Sequence, residues 1–422
     1  MEVESGMFAV DNLMRKSKPA VMRRPRAWWG SDRATLSRVL AHQLHAEFAR
    51  LRLGSTSAVP PWLWNDETVL SEMLGEDVDS LDLMSLSAAV AELLPGYSVE
   101  PGLIRTAAFG AWCAAAADSV RDQPTTVTFR SSGSTGISRS TTHPLAQLEE
   151  EAASLAILLG TGRRRVMSAV PAHHAYGFIH SVLLPRHLGG LPLEDLRHHN
   201  PSELTVQLRP GDLVLGHPAF WHAAVRGMLK PFPADVVAVT SSAPCPPATA
   251  LDLERAGLVR LVQVYGTSET AGIGWRDDPL ARYTLLPAWQ RDGHGLKRDG
   301  QPVEPPDRLD WDGNDRFHVL GRHDQSIQIG GLNVDPKQVR DTLSAHPEVA
   351  CVAVRMMRAD EGQRLKAFVV PRIEDCDRTR LRADLRRFAT AALPPQDRPG
   401  AYSFGPALPV NDLGKAADWL VV

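Results

Sequence analysis

Phe129-Arg130-Ser131-Ser132-Gly133-Ser134-Thr135-Gly136-Ile137-Ser138-Arg139 is the stretch on which the reading of this chain turns. Gly133 and Gly136 permit a tight backbone turn, and Ser131, Ser132, Ser134 and Thr135 surround it with hydroxyls. That chemistry suits the oxygens of a polyphosphate. The GxxxxGK[ST] pattern of P-loop NTPases is absent, so a different nucleotide-binding architecture is implied. Taken alone, the stretch can equally be read as a flexible Gly/Ser loop.

Outward from the loop, Thr126 to Phe129 reads as a strand, and an amphipathic helix is expected around 145–159. Further strands are expected at Arg165–Val170, Asp212–Leu215, Val236–Val239 and Leu261–Val264. Their alternation with helical segments predicts an α/β fold with a mixed or mostly parallel sheet covered on both faces. Beyond Arg322, short elements at Ser326–Ile329, Lys337–Ala345 and Leu365–Val370 predict a smaller α/β module. Toward the N-terminus the signal is helical. Leu36, Val39, Leu40, Leu44 and Phe48 form one stripe, Asp79 or Ser80 can cap a helix running to Leu93, and an alanine-rich helix is expected near 103–119. The expected organisation is an irregular lead-in over 1–30, a helical domain over 31–122, a core over 123–322 and a C-terminal domain over 323–422.

The 422 residues are 43% hydrophobic, enough for a substantial core, and a formal net charge of -3 gives no global footprint for nucleic acid. Two local basic runs, Arg23, Arg24 and Arg26, and Arg163, Arg164 and Arg165, read as solvated surface or as anchors to acidic neighbours, with phosphate or partner-protein contacts as the alternative. Cys113, Cys245, Cys351 and Cys376 are widely spaced and lack a metal-ligand pattern. No secretory signal is recognisable, and no run approaches the roughly 20 apolar residues that cross a bilayer. A reduced cytoplasmic protein without stable membrane insertion is expected.

The loop closely resembles the phosphate loop of the adenylate-forming superfamily, which includes acyl-CoA synthetases, aryl-acid ligases and the adenylation domains of peptide synthetases. Further motifs follow in that family's order. Pro171-Ala172-His173-His174-Ala175-Tyr176-Gly177-Phe178 resembles its histidine/aromatic acyl-pocket segment, and Tyr265-Gly266-Thr267-Ser268-Glu269-Thr270 its nucleotide and magnesium motif. Gly321-Arg322-His323-Asp324 and Gly330-Gly331-Leu332-Asn333-Val334 resemble the junction and opening of its mobile C-terminal domain. Leu408-Pro409-Val410-Asn411-Asp412-Leu413-Gly414-Lys415 resembles its catalytic-lysine motif.

The resemblance implies that a carboxylic acid is activated with ATP to an acyl-adenylate, pyrophosphate leaves, and the acyl group passes to a thiol. It implies that Ser131, Ser132, Gly133, Ser134, Thr135, Gly136 and Arg139 cradle phosphates and that Tyr265, Gly266, Thr267, Asp307 and Arg322 hold the nucleotide. Glu269 is the implied ligand of Mg²⁺ and Lys415 the implied adenylation lysine. His174, Tyr176 and Gly177 fall at the acyl pocket, with His174 also a candidate for positioning the carboxylate, and Asp324 at the hinge. For His174 and Tyr176 a satisfied core or loop role remains open. Three departures stand out: Ser138-Arg139 replaces the usual Pro-Lys, Asp307 follows two prolines, and too little chain precedes Ser131 for a full N-terminal subdomain.

Asp79-Ser80-Leu81-Asp82-Leu83-Met84 resembles the start of the second helix of an acyl carrier protein. Ser80 is therefore either a phosphopantetheine attachment site or part of a helix cap on the ligase core. The short form resembles aromatic-acid ligases of bacterial pigment pathways, which implies a separate acyl carrier protein as acceptor. The alternatives are coenzyme A ligation of an aromatic or fatty acid, and a catalytically silent carrier-recruitment protein.

Overall fold

The computed structural model describes residues 28–30, 32–51, 59–73, 79–95, 97, 108–122, 126–131, 139–322, 327–329, 332–358, 361–373, 375–409 and 419–421. The described chain falls into two compact units, the first built from Met1–Ser131, Ser140–Pro305 and Leu309–His318, the second from Ser132–Arg139, Pro306–Arg308 and Val319–Val422.

In the first unit three long helices come first, with a single helical turn at Leu70–Met73 between the first two: α1 (Arg33–Leu51), α2 (Ser80–Leu93) and α3 (Phe109–Asp122). The expected stripe of α1 is buried, from Leu36 to Phe48. At α2 the cap is Asp79. Its carboxylate accepts from the N–H groups of Leu81 and Asp82, at 2.8 and 2.9 Å, and Asp82 reaches back to complete a capping box. Of the two expected caps, Asp79 and Ser80, the cap is therefore Asp79, whose carboxylate satisfies the free N–H groups, and Ser80 is the first helical residue and exposed.

Next come β1 (Thr126–Ser131) and β2 (Arg139–Pro144), paired on either side of the Gly/Ser segment, then α4 (Leu145–Leu159). β2 was not anticipated, because Arg139-Ser140-Thr141-Thr142-His143 holds no apolar alternation; it is tied by Thr128 Oγ1 to Thr142 Oγ1 at 2.8 Å. The main sheet then develops through β3 (Arg165–Ser168), β4 (Leu193–Asp195), β5 (Asp212–Gly216), α5 (Pro218–Arg226), β6 (Val237–Thr240), α6 (Pro247–Arg255), β7 (Arg260–Thr267), β8 (Ala271–Arg276) and β9 (Tyr283–Leu285). A meander of β10 (Gln290–Asp292), β11 (Gly295–Arg298) and β12 (Gln301–Val303) precedes β13 (Asp307–Asp312) and β14 (Arg316–Arg322).

Nine strands form one sheet in the order β13-β14-β9-β8-β7-β6-β5-β3-β4. The run from β4 to β7 is parallel and the pairs from β7 to β9 and on to β14 are antiparallel. β5 is buried along its whole length, as a central parallel strand requires. Met167, Val214, Ala238 and Leu261 from four neighbouring strands pack with Phe220 and Trp221 of α5 and Leu253 of α6, closing one face. The expected basic anchors are realised: Arg163 pairs with Asp235, and Arg165 with Asp212 and Glu194.

The second unit contains a hairpin of β15 (Ile327–Ile329) and β16 (Leu332–Val334), then α7 (Pro336–Ser344), β17 (Val349–Met356), β18 (Leu365–Pro371), α8 (Arg378–Ala392) and β19 (Ala401–Phe404). β18 is the middle strand, antiparallel to β17 and parallel to β19. Val339 and Leu343 of α7 and Leu381 and Leu385 of α8 share one core with Leu365, Ala367 and Val369. Among the described residues no helix is long and apolar enough to cross a membrane.

Candidate active site

The nucleotide motif sits where β7 turns back into β8. Tyr265, Gly266 and Thr267 end β7, and Ser268, Glu269 and Thr270 make the turn. The register slips between Tyr265 and Gly266, and a Cβ at 266 would stand 2.2 Å from the Ala271 carbonyl oxygen, so only glycine fits this bulge. Thr267 Oγ1 and Thr270 Oγ1 lie 3.0 Å apart and bond the turn internally. Glu269 points outward and is exposed.

Three side chains outside the motif clasp this turn. His143 Nε2 donates to the Ser268 carbonyl at 2.8 Å. Burial pulls its imidazole below the ordinary range, against the opposing effect of that bond, so the ring is neutral near pH 7. Glu151 of α4 accepts the Gly272 N–H at 2.9 Å, and Trp289 Nε1 donates to the Gly272 carbonyl at 2.7 Å. Burial raises the Glu151 carboxyl to about 7.

The acyl-pocket segment forms a short helix, Ala175–Phe178, that runs into a π turn over Ile179–Leu183 and packs against β8. Gly177 is required here, since a Cβ would lie 1.9 Å from the Pro171 carbonyl oxygen. Tyr176 Oη donates to the carbonyls of Gly216, at 2.9 Å, and Val239, at 3.2 Å, at the C-terminal ends of β5 and β6. Its hydroxyl is therefore satisfied by the scaffold. The edge where it bonds is where ligands settle on open α/β sheets. His174 immediately precedes the helix and is exposed, yet its proton affinity falls to about 4 because protein atoms crowd the ring. The ring is therefore neutral at pH 7.

α1 reaches the same segment. His42 Nδ1 accepts the Ala172 N–H at 2.9 Å, and its Nε2 contacts Asp195 Oδ2 at 3.0 Å. The Nδ1 acceptor fixes the proton on Nε2, which donates to the carboxylate. Burial lowers His42 to about 4. Although burial of Asp195 acts upward, the His42 bond and the Arg197 charge outweigh it and keep the carboxylate ionised. Arg130 makes a second tie, pairing with Glu47 of α1 and Glu92 of α2.

Of the other expected site residues, Ser131 closes β1, Arg139 opens β2, Asp307 opens β13 and Arg322 closes β14. Ser132, Gly133, Ser134, Thr135, Gly136, Asp324, Gly330, Gly331 and Lys415 lie outside the described residues. No group of three or more His, Cys, Asp or Glu able to hold a metal occurs among the described residues. An accessible Glu269 beside hydroxyls suits Mg²⁺, which takes one or two carboxylates and completes its shell with phosphate oxygens and water.

The mixed sheet with its covering helices is the α/β fold of an adenylate-forming ligase. The chain belongs to the AMP-binding enzyme family, whose model matches residues 72–294, and the AMP-binding enzyme C-terminal domain matches 339–415. It is an AMP-forming acid–thiol ligase that activates a carboxylic acid with ATP. A 4-coumarate–CoA ligase of Rhodobacter capsulatus is 41% identical over 71% of this chain and 77% of its own length. A 4-coumarate–CoA ligase of Halorhodospira halophila is 37% identical over 80% of this chain and 87% of its own. A malonyl-CoA ligase, solved as a ternary product complex with methylmalonyl-CoA and AMP, shares the fold at 19% identity with a TM-score of 0.55, covering 94% of this chain and 99% of that one. The first family match takes in α2, so the helix that resembles a carrier protein lies within the ligase family's own span.

Proposed function

We propose that this enzyme joins an aromatic acid of the 4-coumarate type to coenzyme A. The observation that carries the reading is the extent of likeness to the two bacterial relatives, over most of their lengths and most of this chain. Their names favour coenzyme A over the carrier-protein acceptor expected from the short form alone.

In the first half-reaction a carboxylate oxygen attacks the α-phosphorus of ATP and the bond to the bridging oxygen breaks. Pyrophosphate leaves with the electron pair, giving a mixed anhydride. The segment from Ser131 to Gly136 and Arg139 cradles the phosphates. Tyr265, Gly266, Thr267, Asp307 and Arg322 hold the nucleotide. Glu269 would hold Mg²⁺, which lowers repulsion among the phosphate oxygens. Lys415 stabilises charge on the reacting carboxylate and α-phosphate.

In the second half-reaction the thiolate of coenzyme A attacks the acyl carbon, AMP departs, and the thiol proton passes to solvent. Asp324 serves as the hinge between the two steps. At the acyl pocket His174, neutral at pH 7, acts by hydrogen bonding rather than by charge. Tyr176 and Gly177 fix the path of the wall. The helices α1, α2 and α3 are best taken as part of the ligase itself, since the family's match takes in α2 and α3. Asp79 already caps α2, so nothing in the local geometry requires Ser80 to carry a pantetheine arm.

Acid-dependent ATP–pyrophosphate exchange over a panel of hydroxycinnamic, benzoic and fatty acids tests the reading, followed by thioester detection with coenzyme A or carrier protein as acceptor. The expected result is strongest exchange with 4-coumarate and release of a soluble thioester, with Lys415→Ala reducing exchange on the order of a hundredfold or more. A fatty-acid preference, or thioester found on carrier protein alone, overturns it.

A further inference from the structure

The second unit buries a lysine that the adenylation chemistry leaves unexplained. Lys366 stands on β18 with 0% exposure. Its Nζ donates to Glu361 Oε2 at 2.7 Å and to the Trp419 carbonyl oxygen at 2.6 Å. The ammonium lies 5.2 Å from the centre of the Trp419 ring, and Phe368 meets the same ring edge-on at 5.6 Å. Glu361 also accepts the Val421 N–H at 3.0 Å and the Arg358 N–H at 3.0 Å. The Lys366 bond foremost, then the Arg358 N–H, holds its carboxyl down to about 2.

Strand alternation explains the arrangement. Leu365, Ala367 and Val369 face the core shared with α7 and α8, so Lys366 and Phe368 face the other way. Residues 419–421 are fastened on that second face. A buried ammonium is seldom the most stabilising filler of such a site, and an apolar residue of similar volume often does as well. What the ion pair adds is a fixed register for the chain that crosses it.

That chain carries the adenylation lysine. β19 pairs with β18 as far as Val369 and Phe404, and the Gly405 N–H donates to the Val369 carbonyl at 3.3 Å. Trp419 returns to the same strand. Lys415 precedes Trp419 by four residues. A fully extended chain of that length spans only about 14 Å, which bounds the separation of Lys415 from the anchor. We propose that Lys366, Glu361 and Trp419 are positioning residues that fasten the C-terminal end of the Lys415 segment and so set its reach in the adenylation step. The inference rests on the assignment of Lys415 to that step.

The two half-reactions separate a positioning role from a structural one. In the full-length enzyme, ATP–pyrophosphate exchange reports adenylation, and thioester formation from preformed acyl-adenylate and coenzyme A reports thiol transfer. Trp419→Ala is expected to lower exchange on the order of tenfold with the KM for ATP unchanged, as a misplaced catalytic group would, while thiol transfer stays within about twofold. Glu361→Gln, a gentler change that keeps an acceptor and loses the charge, is expected to move exchange in the same direction by a smaller factor, and it carries the test if Trp419→Ala does not fold. Exchange that stays at the wild-type level, or falls together with thiol transfer, overturns the inference. Exchange that persists in Lys415→Ala overturns instead the assignment beneath it.

Discussion

Glu151 is a carboxylate 2% exposed to solvent, bonded to one backbone N–H, with its proton affinity raised by burial to about 7. The unfolded chain releases that proton near pH ~4.3, so between there and about 7 the folded state binds more protons than the unfolded one. Stability therefore falls as pH rises through that window and levels off above it. Glu151→Gln keeps an acceptor for Gly272 and removes the titration. It is expected to match the wild type near pH 4 and to exceed it by about 1–3 kcal/mol at pH 8. Thermal unfolding of both proteins at pH 5 and pH 8 checks this; a gap that does not widen with pH would show that burial does not set the group's affinity. The position was readable in principle. Leu148, Glu151, Leu155 and Leu158 follow one helical stripe, but Glu149-Glu150-Glu151 looks like a solvated acidic run. His143 offered no such signal, since its partner is a backbone carbonyl 125 residues away.

At the scale of elements, α1 is a fastener as much as a core helix. His42 bridges Asp195 and the N–H of Ala172, which lies two residues before the exposed His174. His42→Leu leaves both groups without this partner and is expected to destabilise the protein by roughly 2–3 kcal/mol in urea unfolding. The KM for the acid should rise severalfold while that for ATP holds. An equal rise in both would place α1 behind the nucleotide rather than the acid. α1, α2 and α4 were legible because their apolar residues recur at helical spacing. β2 and the strands β9 to β12 were not. Arg139–Pro144 pairs through threonines, and the strands from β9 to β12 are three or four residues long, too short to show a period.

Across the whole molecule, ordered motifs revealed the chemistry before any contact was known, because each keeps its residue types close in sequence. The acceptor was not legible in that way. The likeness of a capped helix to a carrier protein drew attention to Ser80, although Asp79 does the capping and the ligase family's match covers the helix. The hinge assigned to Asp324 makes a separable prediction. Asp324→Pro fixes φ near -65° and removes a donor, so the rotation between steps should be lost. Pyrophosphate exchange is expected to remain within about threefold of wild type while thiol transfer drops on the order of a hundredfold. Equal loss of both would move the hinge elsewhere.

The acyl segment divides its labour within eight residues. Gly177 and Ala172 fix its path through backbone packing and the bond to His42, and the Tyr176 hydroxyl is spent on the strand ends. The carbonyl of His174 also serves the framework, accepting the Phe178 N–H at 2.7 Å, whereas its side chain is exposed and makes no capping bond. With the acid placed at this segment as proposed, selectivity can drift through the side chain at position 174 while the backbone bonds of the segment stay as they are. A lineage of such enzymes would diverge in diet there first, and keep its skeleton.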